Sequence, residues 1–221
     1  MRVAVIFHGI GRPARPLEPG EAPYWIGVDQ FDRVLDRIVA LPGRDSLQIT
    51  FDDGNLSDHD IALPRLLARG LSADFFVLSG RIGQPGALNA DQIRALQSAG
   101  MRIGSHGIAH RNLAQLGDAA LHAELSQSRA DLEKVCGRPV TALGLPFGAY
   151  SRRVLAAARR AGYQVAYSSD KGRMNPAAFL RPRASFRGDM DAAQMDALLT
   201  GHLPAAAALR RALAMAKRRW L

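Results

Sequence analysis

A single cysteine, Cys136, in 221 residues excludes an intramolecular disulfide and the cysteine-rich ligand sets of structural zinc. It fits a reducing compartment. Aromatic residues are scarce at 6%, and no apolar run approaches the roughly 18 residues that cross a bilayer. The apolar stretch at the N-terminus, Val3 to Phe7, ends after five residues at His8 and Gly9, too short for a secretory signal and without a small-residue cleavage site. It reads as a first strand, and a cytoplasmic location is expected. Acidic residues are absent from residues 201–221, where Arg210, Arg211, Lys217, Arg218 and Arg219 supply five of the nine net positive charges. The first 200 residues are therefore only mildly basic.

What remains is ordinary globular composition, 48% hydrophobic and 22% charged. Length favours one large domain, which buries roughly 70% of its unfolded surface and needs no metal to hold it together. Any metal present serves chemistry. The tail, 205–221, reads as a helix with Leu209, Leu213, Trp220 and alanines between its cations. Two readings stand side by side: peripheral contact with an anionic membrane at its inner face, or a helix packed on the domain with its basic face in water. A nucleic-acid partner is disfavoured, because no stacking aromatics accompany the charge.

Short β-rich runs alternate with helical patterns along the chain. Strands are expected at Val3–Phe7, Leu47–Phe51, Ala73–Leu78, Arg102–Ser105, Ala142–Leu145, Gln164–Tyr167 and Phe179–Arg181. Helices are expected at Phe31–Ala40, Asp58–Arg69, Ala90–Ala99 with Asn89 as N-cap, Asp118–Val135 and Arg152–Ala161. Gly70, Gly100, Gly137 and Gly162 each close a helical segment, where a left-handed residue is cheapest as glycine. This is an α/β pattern with a parallel sheet, and about seven strands suit either a barrel or an open doubly wound sheet. The most loop-like stretch is Gly11–Pro23.

Working residues of parallel β/α folds collect at the carboxyl ends of strands. Those ends deliver His8, then Asp52-Asp53-Gly54, then His106-Gly107-Ile108-Ala109-His110, then Pro146-Phe147-Gly148. Asp-Asp-Gly alone is also plain turn chemistry, and two histidines with three residues between them are also plain surface. Together, at one end of one sheet, one aspartate and two histidines with open positions suit a catalytic divalent metal. His59, His122 and His202 fall on helical or linking segments and are expected in solvent, while Cys136 is expected to pack under a helix end.

Thr50-Phe51-Asp52-Asp53-Gly54, Ser105-His106-Gly107-Ile108-Ala109-His110 and Leu145-Pro146-Phe147-Gly148 resemble, in order and spacing, the first three motifs of the polysaccharide deacetylase family, the NodB-homology domain of carbohydrate esterase family four. Phe7-His8-Gly9-Ile10, Tyr24-Trp25 and Ser72-Ala73-Asp74-Phe75-Phe76-Val77 are similar to its poly-N-acetylglucosamine deacetylase branch. The resemblance covers roughly residues 1–190, leaving 191–221 as a basic helical extension. It implies a distorted, incomplete (β/α) barrel of about seven parallel strands and metal-dependent removal of acetyl from an N-acetylated sugar. By that resemblance Asp53, His106 and His110 hold Zn²⁺ or another divalent metal, Asp52 is the general base, and the backbone N–H of Phe147 faces the oxyanion, with Pro146 fixing its loop.

Two departures stand out. Many family members carry an arginine two residues before the motif proline, oriented on the base, where this chain has Gly144. The family's last motif, Leu-x-His, whose histidine protonates the leaving amine, is matched only by Leu180-Arg181-Pro182-Arg183. Asp170 or His8 is the expected substitute acid. Arg183 is expected to grip a substrate carboxylate or phosphate, with Tyr167 also assigned to substrate. An N-acetylated glycan or a lipid- or nucleotide-linked sugar is the implied partner. The alternatives are a catalytically weak glycan-binding or scaffolding member, and an amide hydrolase of non-sugar acetamides or formamides.

Overall fold

The structure, a computed structural model, describes residues 2–220, with side chains described as far as Arg218. The side chains of Arg219 and Trp220, and Leu221 as a whole, lie outside the described residues. In chain order the strands are β1 (Arg2–Phe7), β2 (Gly9–Ile10), β3 (Trp25–Ile26), β4 (Leu47–Phe51), β5 (Ala73–Val77), β6 (Arg102–Ser105), β7 (Ala142–Gly144), β8 (Val165–Ser168), β9 (Arg173–Met174), β10 (Leu180–Pro182) and β11 (Ala184–Ser185). The α-helices are α1 (Val28–Ala40), α2 (Leu63–Ala68), α3 (Ala90–Ser98), α4 (Asp118–Cys136), α5 (Arg152–Arg160), α6 (Ala192–Thr200) and α7 (Ala205–Trp220).

The main sheet runs β10-β8-β7-β6-β5-β4-β1-β11, parallel throughout, with β9 added antiparallel to β1. β10 and β11 are two halves of one extended segment: Leu180–Pro182 pairs with β8, and Ala184–Ser185 pairs with β1. The segment thus joins the two edges, and Arg183 stands at the changeover. The result is a nearly closed barrel of about seven staves. β2 and β3 form a separate two-stranded ribbon at its mouth.

The outer face of the barrel, under the helices, is mostly apolar, and the inner face carries a different population. Outside, Phe7, Phe51 and Phe75 on neighbouring staves stack at 5.3 and 4.6 Å between ring centroids, and Phe186 joins Phe7 at 4.8 Å. The few aromatic residues are concentrated there, and removing one such buried ring costs about 3–5 kcal/mol. Inside the barrel, Phe76, Ala142, Val165 and Tyr167 form a second, small cluster.

Local chemistry explains most element ends. Asn89 caps α3 reciprocally with Gln92, as its sequence position suggests, and Asp191 does the same for α6 with Gln194. The segment expected as one helix over Asp58–Arg69 begins as a π turn, Asp58–Ala62, before α2. Pro64 is the cause: it lacks an N–H and its ring crowds the carbonyl four residues back, so the first turn widens. Within 191–221, expected as a basic helical extension, α6 packs Met195 and Leu199 into the core beside β1.

Candidate metal centre and cavity

Strand parity sets the site. Gln48 and Thr50 on β4, and Asp52 just past its end, alternate along the chain and face into the barrel. Gln48 Nε2 donates to the Tyr167 hydroxyl at 2.9 Å, Thr50 Oγ1 accepts from Arg183 at 3.0 Å, and Asp52 accepts from both ends of the same guanidinium, 2.6 Å at Oδ1 and 2.8 Å at Oδ2. Arg183 is fully buried, and its ring-facing surface lies 4.8 Å from the Phe76 centroid and 5.5 Å from that of Tyr167. This corrects the expectation for Arg183: its fork is spent on Asp52, out of reach of any substrate acid. Burial pushes the Asp52 carboxyl up, but the charges of Arg183, His106 and His8 and the Arg183 hydrogen bonds outweigh it and hold Asp52 below the usual range.

Gly144, where an arginine was missed, has no room for one. A Cβ there would stand 2.9 Å from His106 Nδ1 and 2.9 Å from the Phe76 ring. The base-orienting cation enters from the closing segment instead.

Asp53 is two residues past the strand and adopts φ +77°, which turns its carboxylate away from that of Asp52. His106 and His110 meet it: His106 Nε2 lies 3.5 Å and His110 Nε2 3.6 Å from Asp53 Oδ1. Each imidazole is fixed by its other nitrogen. His106 Nδ1 donates to the Gly144 carbonyl at 2.9 Å, and His110 Nδ1 donates to Glu18 Oε2 at 2.7 Å. Both acceptors lack protons, so each ring carries a proton on Nδ1 and its Nε2 is turned to one common point. The three ligand atoms lie within 4.8 Å of one another, and Asp53 Oδ1 is buried without a hydrogen-bond partner. That orphaned oxygen between two free imidazole nitrogens fits a divalent cation. Burial is the main cause that drives His106 down to about 4, against the pull of Asp52 and Asp53, so it is neutral and ready to ligate at physiological pH. The loop between the two histidines is tied down by Glu124 of α4, whose Oε2 accepts from Ile108 N at 2.6 Å and Ala109 N at 3.3 Å.

A cavity of about 350 Å³ opens above these groups, lined by His8, Glu18, Tyr24, Asp52, Asp53, His106, His110, Phe147 and Ser169 among others. Phe147 has φ +58° and presents its ring to His110 at 4.4 Å; Pro146 before it is buried. His110, at φ +52°, Asp53 and Phe147 are three of the four non-glycine residues with positive φ among those described. Backbone strain is thus gathered at the site, as where geometry is imposed for chemistry. His8 lines the cavity, 5.0 Å from the Tyr24 ring, with a buried, unpaired Nδ1.

Two further sequence expectations are corrected by position. Tyr167 is fully buried, and its hydroxyl faces Gln48, Arg102 and Arg181 at the opposite end of the barrel, so it plugs the interior and does not meet a ligand in the cavity. Asp170 lies outside the cavity lining: its carboxylate accepts from Tyr150 at 2.9 Å, Ser168 at 2.6 Å and Arg218 of α7 at 2.5 Å. His59 pairs with Asp60, and His122 and His202 are exposed. Cys136 ends α4, half-buried, with its thiol pushed up by burial. Sequence reading missed Glu18, which sits in the segment read only as loop, and Asp58, whose carboxyl is buried without a partner and is pushed well up by burial and by Asp53 and Asp52.

Comparison with known proteins shows the family and the fold. The family model "Polysaccharide deacetylase" matches residues 41–166, more than half of the chain. A relative from Bacillus subtilis (strain 168), YxkH, is 29% identical over 131 residues, which is 59% of this chain and 47% of the relative, so the match spans about half of that protein's length. Among solved structures, the Streptococcus pyogenes deacetylase PplD in complex with acetate superposes with a TM-score of 0.76 at 20% identity, over 92% of this chain and 98% of that one. BC0361, a polysaccharide deacetylase from Bacillus cereus, gives 0.76 at 19% identity over 90% and 68%, and IcaB from Ammonifex degensii gives 0.70 at 18% over 95% and 96%. These structures share the barrel. On the matched motif region, the chain belongs to the polysaccharide deacetylase family.

Proposed function

We propose that the chain is a metal-dependent hydrolase that removes the acetyl group from an N-acetylated sugar. The observation that carries this reading is the convergence of Asp53, His106 and His110 beside a separate buried carboxylate, Asp52, on the floor of a cavity near the small end of ligand-pocket volumes. A divalent cation held there, Zn²⁺ or another, would supply Lewis acidity to the acetamide carbonyl and to the attacking water. Asp52, kept ionised by Arg183, takes the proton from that water. The Phe147 N–H, for which no partner is found among the described residues, donates to the carbonyl oxygen as negative charge gathers on it. Pro146 fixes the path of that loop. His8, facing the cavity with a free ring nitrogen, delivers a proton to the departing amine, and its presence there speaks against a purely glycan-binding role.

The substrate is an N-acetylated glycan or a lipid- or nucleotide-linked sugar. No helix among the described residues is long and apolar enough to cross a membrane. Peripheral contact through α7 is part of the same proposal, since Leu209 and Leu213 are each 63% exposed on the helix that carries exposed Arg210 and Lys217. The test is acetate release from N-acetylhexosamine oligomers by the metal-loaded chain. Asp53→Ala abolishes it together with ion uptake, whereas Asp52→Asn abolishes release and leaves uptake intact; release unchanged in Asp53→Ala overturns the reading.

A further inference from the structure

Residues 11–24 form a strap that crosses the mouth of the barrel and supplies Glu18, Glu21 and Tyr24 to one wall of the cavity. Its conformation is restricted by its own sequence, because Pro13, Pro16 and Pro19 fix φ at every third position. It is also pinned at both sides. Arg15 Nε donates to Asn55 Oδ1 at 3.2 Å, two residues from Asp53, and Arg15 NH1 donates to Glu21 Oε2 at 2.9 Å. Glu18, at the centre of the strap, places one carboxylate oxygen on Arg81 and the other on His110 Nδ1 at 2.7 Å.

That second contact gives Glu18 a task which packing alone does not require. An imidazole that ligates through Nε2 must carry its proton on Nδ1 and hold its ring plane, and a carboxylate on Nδ1 secures both while raising the basicity of the ligating nitrogen. Its counterpart for His106 is a main-chain carbonyl, Gly144 O, which no side-chain substitution removes. Only His110 depends on a side chain from a distant segment. We infer that Glu18 is a positioning residue that sets His110 for the cation and, through its ion pair with Arg81, couples ion binding to the placement of the strap that walls the substrate cavity. The inference rests on the metal-dependent reading above and adds to it a link between the ion and the substrate wall.

The two halves of Glu18's role separate by substitution. Glu18→Ala loses both; Glu18→Gln keeps an acceptor oxygen for His110 and loses the charge for Arg81; Arg81→Met loses only the strap pair. Binding of Zn²⁺ alone is measured on the metal-free full chain by competition with a chromogenic chelator, beside wild type and Asp53→Ala. Glu18→Ala weakens the ion by about 10–100-fold, the range seen when partners of metal-bound histidines are removed, and Glu18→Gln recovers most of that loss. Arg81→Met weakens the ion by less than Glu18→Ala does and raises KM. With Co²⁺ in the site, the visible bands shift in Glu18→Ala and not in Arg81→Met. An unaltered affinity in Glu18→Ala, or an equal loss in Arg81→Met, overturns the inference while ion uptake by wild type and its loss in Asp53→Ala leave the metal reading standing. No uptake by wild type overturns both.

Discussion

Replacing Arg183 with methionine removes the cation from a pair that has no water to replace it. Arg183 is fully buried and Asp52 is 3% exposed, and the fork meets both carboxylate oxygens within 2.8 Å. Methionine fills much of the volume between Phe76 and Tyr167, so the loss is chiefly electrostatic. Breaking a buried pair by removing one partner costs about 3–5 kcal/mol, because the survivor keeps its burial and loses its compensation. For a chain of this size that is a fall of roughly 6–20 °C in Tm. The second change, Asp52→Asn in the same chain, removes the stranded charge, so the double variant is more stable than Arg183→Met alone and the two losses fail to add by about 2 kcal/mol or more. Acid titration carries the same sign. Asp52, held below its ordinary value, contributes stability that is present above the unfolded carboxylate value and lost as pH falls through the folded one. Without Arg183, burial dominates, Asp52 stays protonated further up the pH scale, and the acid limb of kcat/KM moves upward. Arg183→Lys restores the charge but not the bidentate fork, so it recovers only part of the loss. Urea unfolding of the metal-free variants at pH 7 is the measurement. A loss under about 1 kcal/mol in Arg183→Met, or strict additivity in the double variant, refutes this account of the buried pair.

His106, driven down to about 4 from the usual 6.5, is a group depressed by folding, so its contribution is complete above 6.5 and is lost as pH falls through 4. Metal-free protein therefore loses about 3 kcal/mol across that window, and His106→Gln flattens the urea midpoints plotted against pH. A Cβ placed by Gly144→Ala pushes against His106 Nδ1 and Phe76, each 2.9 Å away, and lowers ion affinity in chelator competition; wild-type affinity would show that the ring yields freely. His8→Gln lowers kcat by about 10²–10⁴-fold, with ion binding unchanged. Leu209→Asp with Leu213→Asp reduces the fraction of protein that sediments with anionic liposomes, and an unchanged fraction removes α7 from any membrane role.

The parts of the site legible in the sequence are those written within a few residues of one strand end. Asp52-Asp53, His106 with His110, and Pro146-Phe147 are local segments, and the α/β rhythm is enough to bring their strand ends to one face of the barrel. The positioning groups are not local. Arg183 reaches Asp52 across 131 residues and Glu18 reaches His110 across 92. Both come from segments whose patterns are uninformative alone, the join between two short strands and a proline-rich loop. For Arg183 the deciding step is closure of the barrel: only when Leu180–Ser185 changes partner from β8 to β1 does the residue at the changeover point inward, onto the inward row of β4. Asp170 illustrates the converse. It follows a strand as Asp52 and His106 do, yet Tyr150, Ser168 and the tail's Arg218 claim its carboxylate. A strand end nominates a residue for chemistry, and competing partners from elsewhere in the chain decide whether it remains free for it. By that criterion Asp53, with an unpaired buried oxygen, and His8, with an unpaired ring nitrogen, are left available, while Arg183, Tyr167 and Asp170 are already committed to the fold.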